Sequence, residues 1–114
     1  MKTSTLFALT LLLGSFAAAA NAADIAAGKE KSAMCVACHG ADGNSTDPQY
    51  PRLAGQHANY LERALLDYRS GDRKNPIMAG FVAGLTDEDI ANLAAYFASQ
   101  PGVVTPVQGR TVSQ

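Results

Sequence analysis

Apolar and small residues recur at helical spacing in three stretches of the chain, and segments rich in Gly, Pro, Asn and Asp separate them. From Asp24 to Met34, the residues Ile25, Gly28, Ser32 and Ala33 fall on one side, with Asp24 as N-cap, and a short helix is predicted. From Gln56 to Arg69, Tyr60, Leu61, Ala64, Leu65 and Tyr68 make one apolar face that ends before Ser70 and Gly71. The third stretch opens with Thr86-Asp87-Glu88-Asp89, a capping-box-like start whose acids suit the positive end of a helix, and runs on through Ile90, Leu93, Ala94 and Phe97. Residues 40–48 supply Gly, Asp, Asn and Pro, which favour turn conformations, and read as a loop. There is no hairpin signal and no convincing strand, so the expected fold is all-α with three main helices.

At the N-terminus the apolar residues run together instead of recurring. Lys2, an eleven-residue apolar stretch from Leu6 to Phe16, and Ala20-Asn21-Ala22 have the form of a secretory signal with an A-x-A cleavage site. That stretch is too short to span a bilayer as a helix, and no second apolar run follows it. The expected organisation is therefore a cleaved signal peptide over 1–22, one domain over 23–100, and a loose C-terminal tail over 101–114. Pro101, Gly102, Pro106 and Gly109 leave that tail without periodicity. Export places the product in the periplasm, with no membrane span after cleavage.

Charge narrows the partners. The chain carries 9 basic against 10 acidic residues, and loss of Lys2 with the signal leaves 8 against 10, a formal charge of −2. This is no footprint for phosphate backbones, so nucleic acid is not an expected partner. Removing 22 residues from 114 leaves 92, a small domain of a size that is often marginal without a staple, a metal or a cofactor. A disulfide between Cys35 and Cys38, the only cysteines, would close too short a loop to constrain much of the unfolded chain. Their expected role is chemical.

The segment Cys35-Val36-Ala37-Cys38-His39-Gly40 is the C-x-x-C-H pattern of covalent c-type haem attachment. On one helical turn two thiols reach the two vinyl groups of a haem edge, and the next residue brings an imidazole, a good iron ligand, beneath the metal. A thioredoxin-like redox pair would want a βαβ context. Zinc held by Cys35, Cys38, His39 and His57 lacks the usual His spacing. A bare disulfide leaves His39 unexplained. For the second axial position, Met1 leaves with the signal and Met34 is tied to the attachment side, whereas Met78 lies 39 residues beyond His39. Pro76 restricts Asn75 to extended conformations, as a ligand loop requires. Met is also a common core filler, and His57 is a second candidate ligand, so the residues alone leave this position open.

The chain resembles the class I cytochromes c over nearly all of its mature length. The matching stretches are Gly28-Lys29 ahead of the haem motif, Pro51-Arg52-Leu53-Ala54-Gly55-Gln56, Tyr60-Leu61, Arg73-Lys74-Asn75-Pro76 with Met78, and Leu85 to Phe97. Together they look most like one half of the tandem two-haem cytochromes c of the Gram-negative periplasm, here with a single C-x-x-C-H. The resemblance implies three helices packed around one haem c, with His39 and Met78 as axial ligands of the iron. It also implies that the Pro51 carbonyl accepts a hydrogen bond from the His39 ring, that Leu53 packs on the haem, and that Gly28 and Tyr96, with Leu93 and Phe97, mark the crossing of the first and last helices. Arg73 and Asn75, just before Met78, are candidates to bind a haem propionate or steady the Met sulfur. Val36, Ala37 and residues 78–83 are candidates for a docking patch at an exposed haem edge, with Phe81 and Val82 equally placed to join the core.

The function expected is a soluble periplasmic electron carrier, not an enzyme, that meets redox partner proteins transiently. The alternatives are an open-site haem enzyme or gas sensor, and an electron-transfer subunit of a larger oxidoreductase.

Overall fold

The computed structural model of the protein describes residues 22–102. The expected signal, apart from Ala22, and residues 103–114 of the expected tail lie outside the described residues. Among those described, every regular element is helical: α1 (Ile25–Lys31), a 3₁₀ turn (Ser32–Met34), α2 (Val36–His39), α3 (Ala58–Ser70), α4 (Pro76–Val82) and α5 (Asp87–Ser99). None of these helices is long and apolar enough to cross a membrane.

Asp24 caps α1, its side chain accepting from the Ala26 and Ala27 amides. The helix expected to continue to Met34 is broken into two forms at Ser32. The Ser32 hydroxyl bonds back to the Lys29 carbonyl at 2.7 Å, and the backbone tightens there into the 3₁₀ turn. This leads into α2, which ends where Gly40 turns to φ 84°, a region that a side chain would disfavour.

α3 starts two residues later than expected, behind His57 in extended conformation, and finishes at Gly71 as expected. α4 is the element the residue pattern missed. Asn75 is extended, as its neighbour Pro76 requires, but its side chain then accepts from the Ile77 and Met78 amides and Pro76 takes the first helical position. The segment expected as a ligand loop is thus a seven-residue helix. α5 carries the full capping box, Thr86 and Asp89 each bonding the other's backbone amide at 3.0 Å.

α5 organises the rest. Its Ile90, Leu93, Ala94, Tyr96 and Phe97 are buried with Leu61, Val82 and Leu85 in one core. Ile90, Leu93 and Val82 are the largest fully enclosed side chains, each worth about 1.5–3 kcal/mol. α1 crosses α5 at Gly28, where a Cβ would overlap the Asn92 carbonyl and stand 2.9 Å from Tyr96 Cβ. Asn92 is buried at that crossing and accepts from the Asp24 amide at 2.6 Å, so α1 is fixed at its start as well as its middle. Leu93 and Phe97, one position round the helix, face away from the crossing and into a cavity. Arg69 joins the end of α3 to the start of α5, donating to the Leu85 carbonyl at 2.8 Å and pairing with Asp87.

The loop between α2 and α3 is tied to itself and to α5. Leu53 donates to the Gly43 carbonyl at 2.8 Å, Gly55 to that of Phe97 at 3.0 Å, and the Tyr96 hydroxyl to that of Ala41 at 3.0 Å. Pro101 and Gly102, where the loose tail was expected to begin, are held here too. The Pro101 carbonyl accepts from the Asn44 side chain at 2.8 Å, and Gly102 lies against Ala54 and Gly55.

Candidate functional site

Between α2, α3, α4, α5 and residues 49–56 lies a cavity of about 390 Å³, within the range of small-molecule and cofactor sites. Its wall gathers all eight residues singled out from the sequence: Cys35, Cys38, His39, Pro51, Leu53, Arg73, Asn75 and Met78. They come from three separate stretches of chain, 35–39, 51–53 and 73–78. His57 is exposed at the start of α3 and is not among the lining residues.

α2 sets the attachment wall. Its single turn holds Cys35 at its cap and Cys38 three positions on, both half-buried as free thiols. His39 follows, buried at 6% exposure, and its Nδ1 lies 2.8 Å from the Pro51 carbonyl. A carbonyl only accepts, so Nδ1 carries the proton and Nε2 keeps its lone pair, the tautomer a metal needs. Tyr50 stands edge-on to the imidazole with ring centres 6.4 Å apart. Pro51 itself is exposed, and its contribution is the carbonyl. Leu53 is half-buried against the core and lines the cavity beside it.

Met78 enters from the α4 side. It is half-buried, packs on the core, and sits in the first turn of a helix whose start Asn75 and Pro76 fix. Asn75 acts through this cap: its side-chain oxygen is used on the Ile77 and Met78 amides at 3.0 and 3.1 Å. Arg73 lies at 4.8 Å over the Tyr68 ring. Of the docking-patch candidates, Val82 belongs to the core at 1% exposure, while Phe81 and Val36 are exposed. Ile77, at 62%, extends that apolar rim and had not been singled out.

The residue pattern also passed over Tyr50, Gln56, Tyr60 and Tyr68 as cavity residues. Tyr60 and Tyr68 were visible as part of an apolar helix face. Their purpose was not, because a core-facing stripe and a cofactor-facing stripe have the same period.

The donor set fits a covalently attached haem. Two thiols three positions apart and an imidazole of fixed tautomer lie on one side of an apolar cavity, and a thioether lies on another. The rival uses fit less well. Burial pushes the Cys35 thiol up, with Cys38 adding to the shift, whereas a redox-active pair needs a lowered one. Among the described residues no three His, Cys, Asp or Glu side chains gather as a metal-ion site.

Comparison with known proteins agrees. The cytochrome c family profile matches residues 25–101. Cytochrome c4 of Pseudomonas aeruginosa is 46% identical over 109 residues, which cover 96% of this chain and 54% of that protein. Cytochrome c-554(548) of Halomonas halodenitrificans is 51% identical over 82 residues, covering 69% of this chain and 99% of that protein. The crystal structure of reduced recombinant cytochrome c4 from Pseudomonas stutzeri superposes with a TM-score of 0.68 at 44% identity, over 71% of this chain and 47% of that one. The chain thus spans about half the length of the cytochrome c4 relatives it matches.

Proposed function

The chain belongs to the cytochrome c family, and from that premise we propose that it is a freely diffusing periplasmic electron carrier whose haem iron is held between His39 and Met78. Proteins of this family carry covalently bound haem c and pass electrons between redox partners. The observation that carries the finer reading is that Cys35, Cys38, His39 and Met78 line one apolar cavity, with the His39 tautomer fixed by Pro51.

Haem c, when bound, supplies an iron that gains and loses one electron. Cys35 and Cys38 hold it through thioethers, so it cannot dissociate. His39 offers Nε2, and the Pro51 carbonyl keeps the ring from rotating and raises its basicity. Met78 offers a thioether, which favours the reduced metal relative to an all-nitrogen site. Its position rests on the Asn75 cap and on Pro76. Leu53, Leu61, Leu93 and Phe97 exclude water from the cavity. With His39 and Met78 both holding the iron, no position would stay open for a substrate, and little would have to move when the charge changes. Arg73 supplies positive charge at the cavity mouth. Phe81, Ile77 and Met34, exposed beside the cavity, and Val36 near the attachment turn, form an apolar rim suited to the small interfaces of transient redox encounters. The leader pattern over 1–22 supports a periplasmic location.

Mixing the reduced, haem-loaded protein with a one-electron oxidant tests this reading. One equivalent per haem should be consumed rapidly and reversibly, and hydrogen peroxide should not be turned over. Sustained peroxide turnover by the native protein would contradict it.

A further inference from the structure

Arg73 lines the cavity together with two tyrosines of α3, and among the described residues it packs on an aromatic ring and makes no ion pair. Its guanidinium carbon stands 4.8 Å from the centre of the Tyr68 ring, inside the range where a ring face attracts a cation. Tyr60, two turns earlier on the same face of α3, lines the same cavity, and its hydroxyl is the foremost group raising the Arg73 pKa. Asp67, nearby on α3, pairs its carboxylate with Arg63 at 2.7 Å; it accepts from the Arg73 amide through its backbone carbonyl at 3.0 Å, and its charge is the weakest of the influences on the Arg73 guanidinium. Among the described residues no carboxylate lies within ion-pair distance of Arg73.

An exposed arginine ordinarily samples many rotamers, and ordering it on an anion costs entropy. Here the aromatic partners hold the side chain before any anion arrives. We propose that Tyr60 and Tyr68 are positioning residues that hold the Arg73 guanidinium at the cavity mouth to meet the carboxylates of the bound haem. This rests on the reading of the cavity as the haem site. Those carboxylates, left bare, favour ferric iron; a fixed positive charge beside them offsets that and raises the reduction potential. A guanidinium free to swing into water is screened and does less.

The test is the midpoint potential of the haem-loaded protein. Arg73→Gln should lower it most, and Tyr68→Leu and Tyr60→Phe should each lower it by less. In the Arg73→Gln background neither tyrosine change should shift it further. Tyr68→Phe, which keeps the ring and packs conservatively, should stay close to wild type. The sulfur-to-iron absorption band should persist in every variant, which separates these shifts from loss of Met78. Tyrosine shifts of equal size with and without Arg73 would overturn the positioning role and leave a packing effect. An unchanged potential in Arg73→Gln would overturn the counter-charge itself. Absence of covalent haem from the wild-type protein would instead overturn the reading on which the proposal rests.

Discussion

At the crossing of α1 and α5 backbone meets backbone, Gly28 against Asn92, and the Asn92 side chain is satisfied by the Asp24 amide. Across the molecule, α3, α4 and residues 49–56 meet α5 around about 390 Å³ of cavity. The first region is completed by the polypeptide. The second has apolar walls with too little between them, and cavities of this kind are costly when nothing fills them. One small chain therefore combines a self-sufficient joint with a half that depends on its cofactor, and α5 belongs to both through adjacent stripes. Asn92 and Tyr96 face α1, while Leu93 and Phe97 face the cavity.

The strongest way to break this comparison is to remove the cofactor. Cys35→Ala combined with Cys38→Ala should abolish covalent haem, seen as loss of haem staining on a denaturing gel. It should also remove most of the about 5–15 kcal/mol of stability typical of a folded domain. Hydrogen exchange should show the amides of α3 and α4 losing protection before those of α1 and α5. Equal loss in both regions would end the distinction. The converse change is Gly28→Ala. Its gain of up to about 1 kcal/mol in helix propensity is outweighed by overlap with the Asn92 carbonyl, for a net loss of about 1–3 kcal/mol in denaturant unfolding with the haem spectrum unchanged.

Met78→Ala sharpens the comparison on the cavity side. It should cost about 1–2 kcal/mol, because the side chain is only half-buried, while haem stays attached, the potential falls and external ligands bind the iron. An unchanged spectrum would remove Met78 as the ligand. The smallest effect is expected at the N-terminus of α5. Thr86→Ala should cost about 1 kcal/mol by breaking the capping box. The Asp89 carboxyl is held below its usual range by the Thr86 amide and by Lys31, 3.0 Å away. A depressed folded-state pKa gives stability that is present above the unfolded value, about 3.9, and lost as pH falls through the folded one. The wild-type advantage over Asp89→Asn should therefore shrink on acidification below about pH 4 and be insensitive to pH near neutrality.

Much of this was legible in the residues. The C-x-x-C-H turn, the Asp24 cap, the Gly71 stop and the Thr86 capping box are local signals, and each sits where local chemistry demands. α4 was hidden because Pro76 reads equally as a loop residue and as the first residue of a helix; the Asn75 side chain decides between them. The break at Ser32 was hidden because a hydroxyl bonding back to the backbone leaves no periodic trace. The burial of Asn92 is likewise invisible in one dimension, since its partner, the Asp24 amide, lies 68 residues away. At the site, ligand types and spacing named Cys35, Cys38 and His39, whereas the tyrosines beside Arg73 share the period of an ordinary core face.

The most direct test of the proposed closed His39/Met78 site for electron transfer is the optical spectrum of the haem-loaded protein, oxidised and reduced, extended to the weak long-wavelength sulfur-to-iron band and repeated with carbon monoxide. A c-type reduced spectrum, the band present when oxidised, and no change on adding carbon monoxide is the predicted result. A haem spectrum lacking the band and shifting with carbon monoxide would contradict the account and point to an open-site enzyme or sensor.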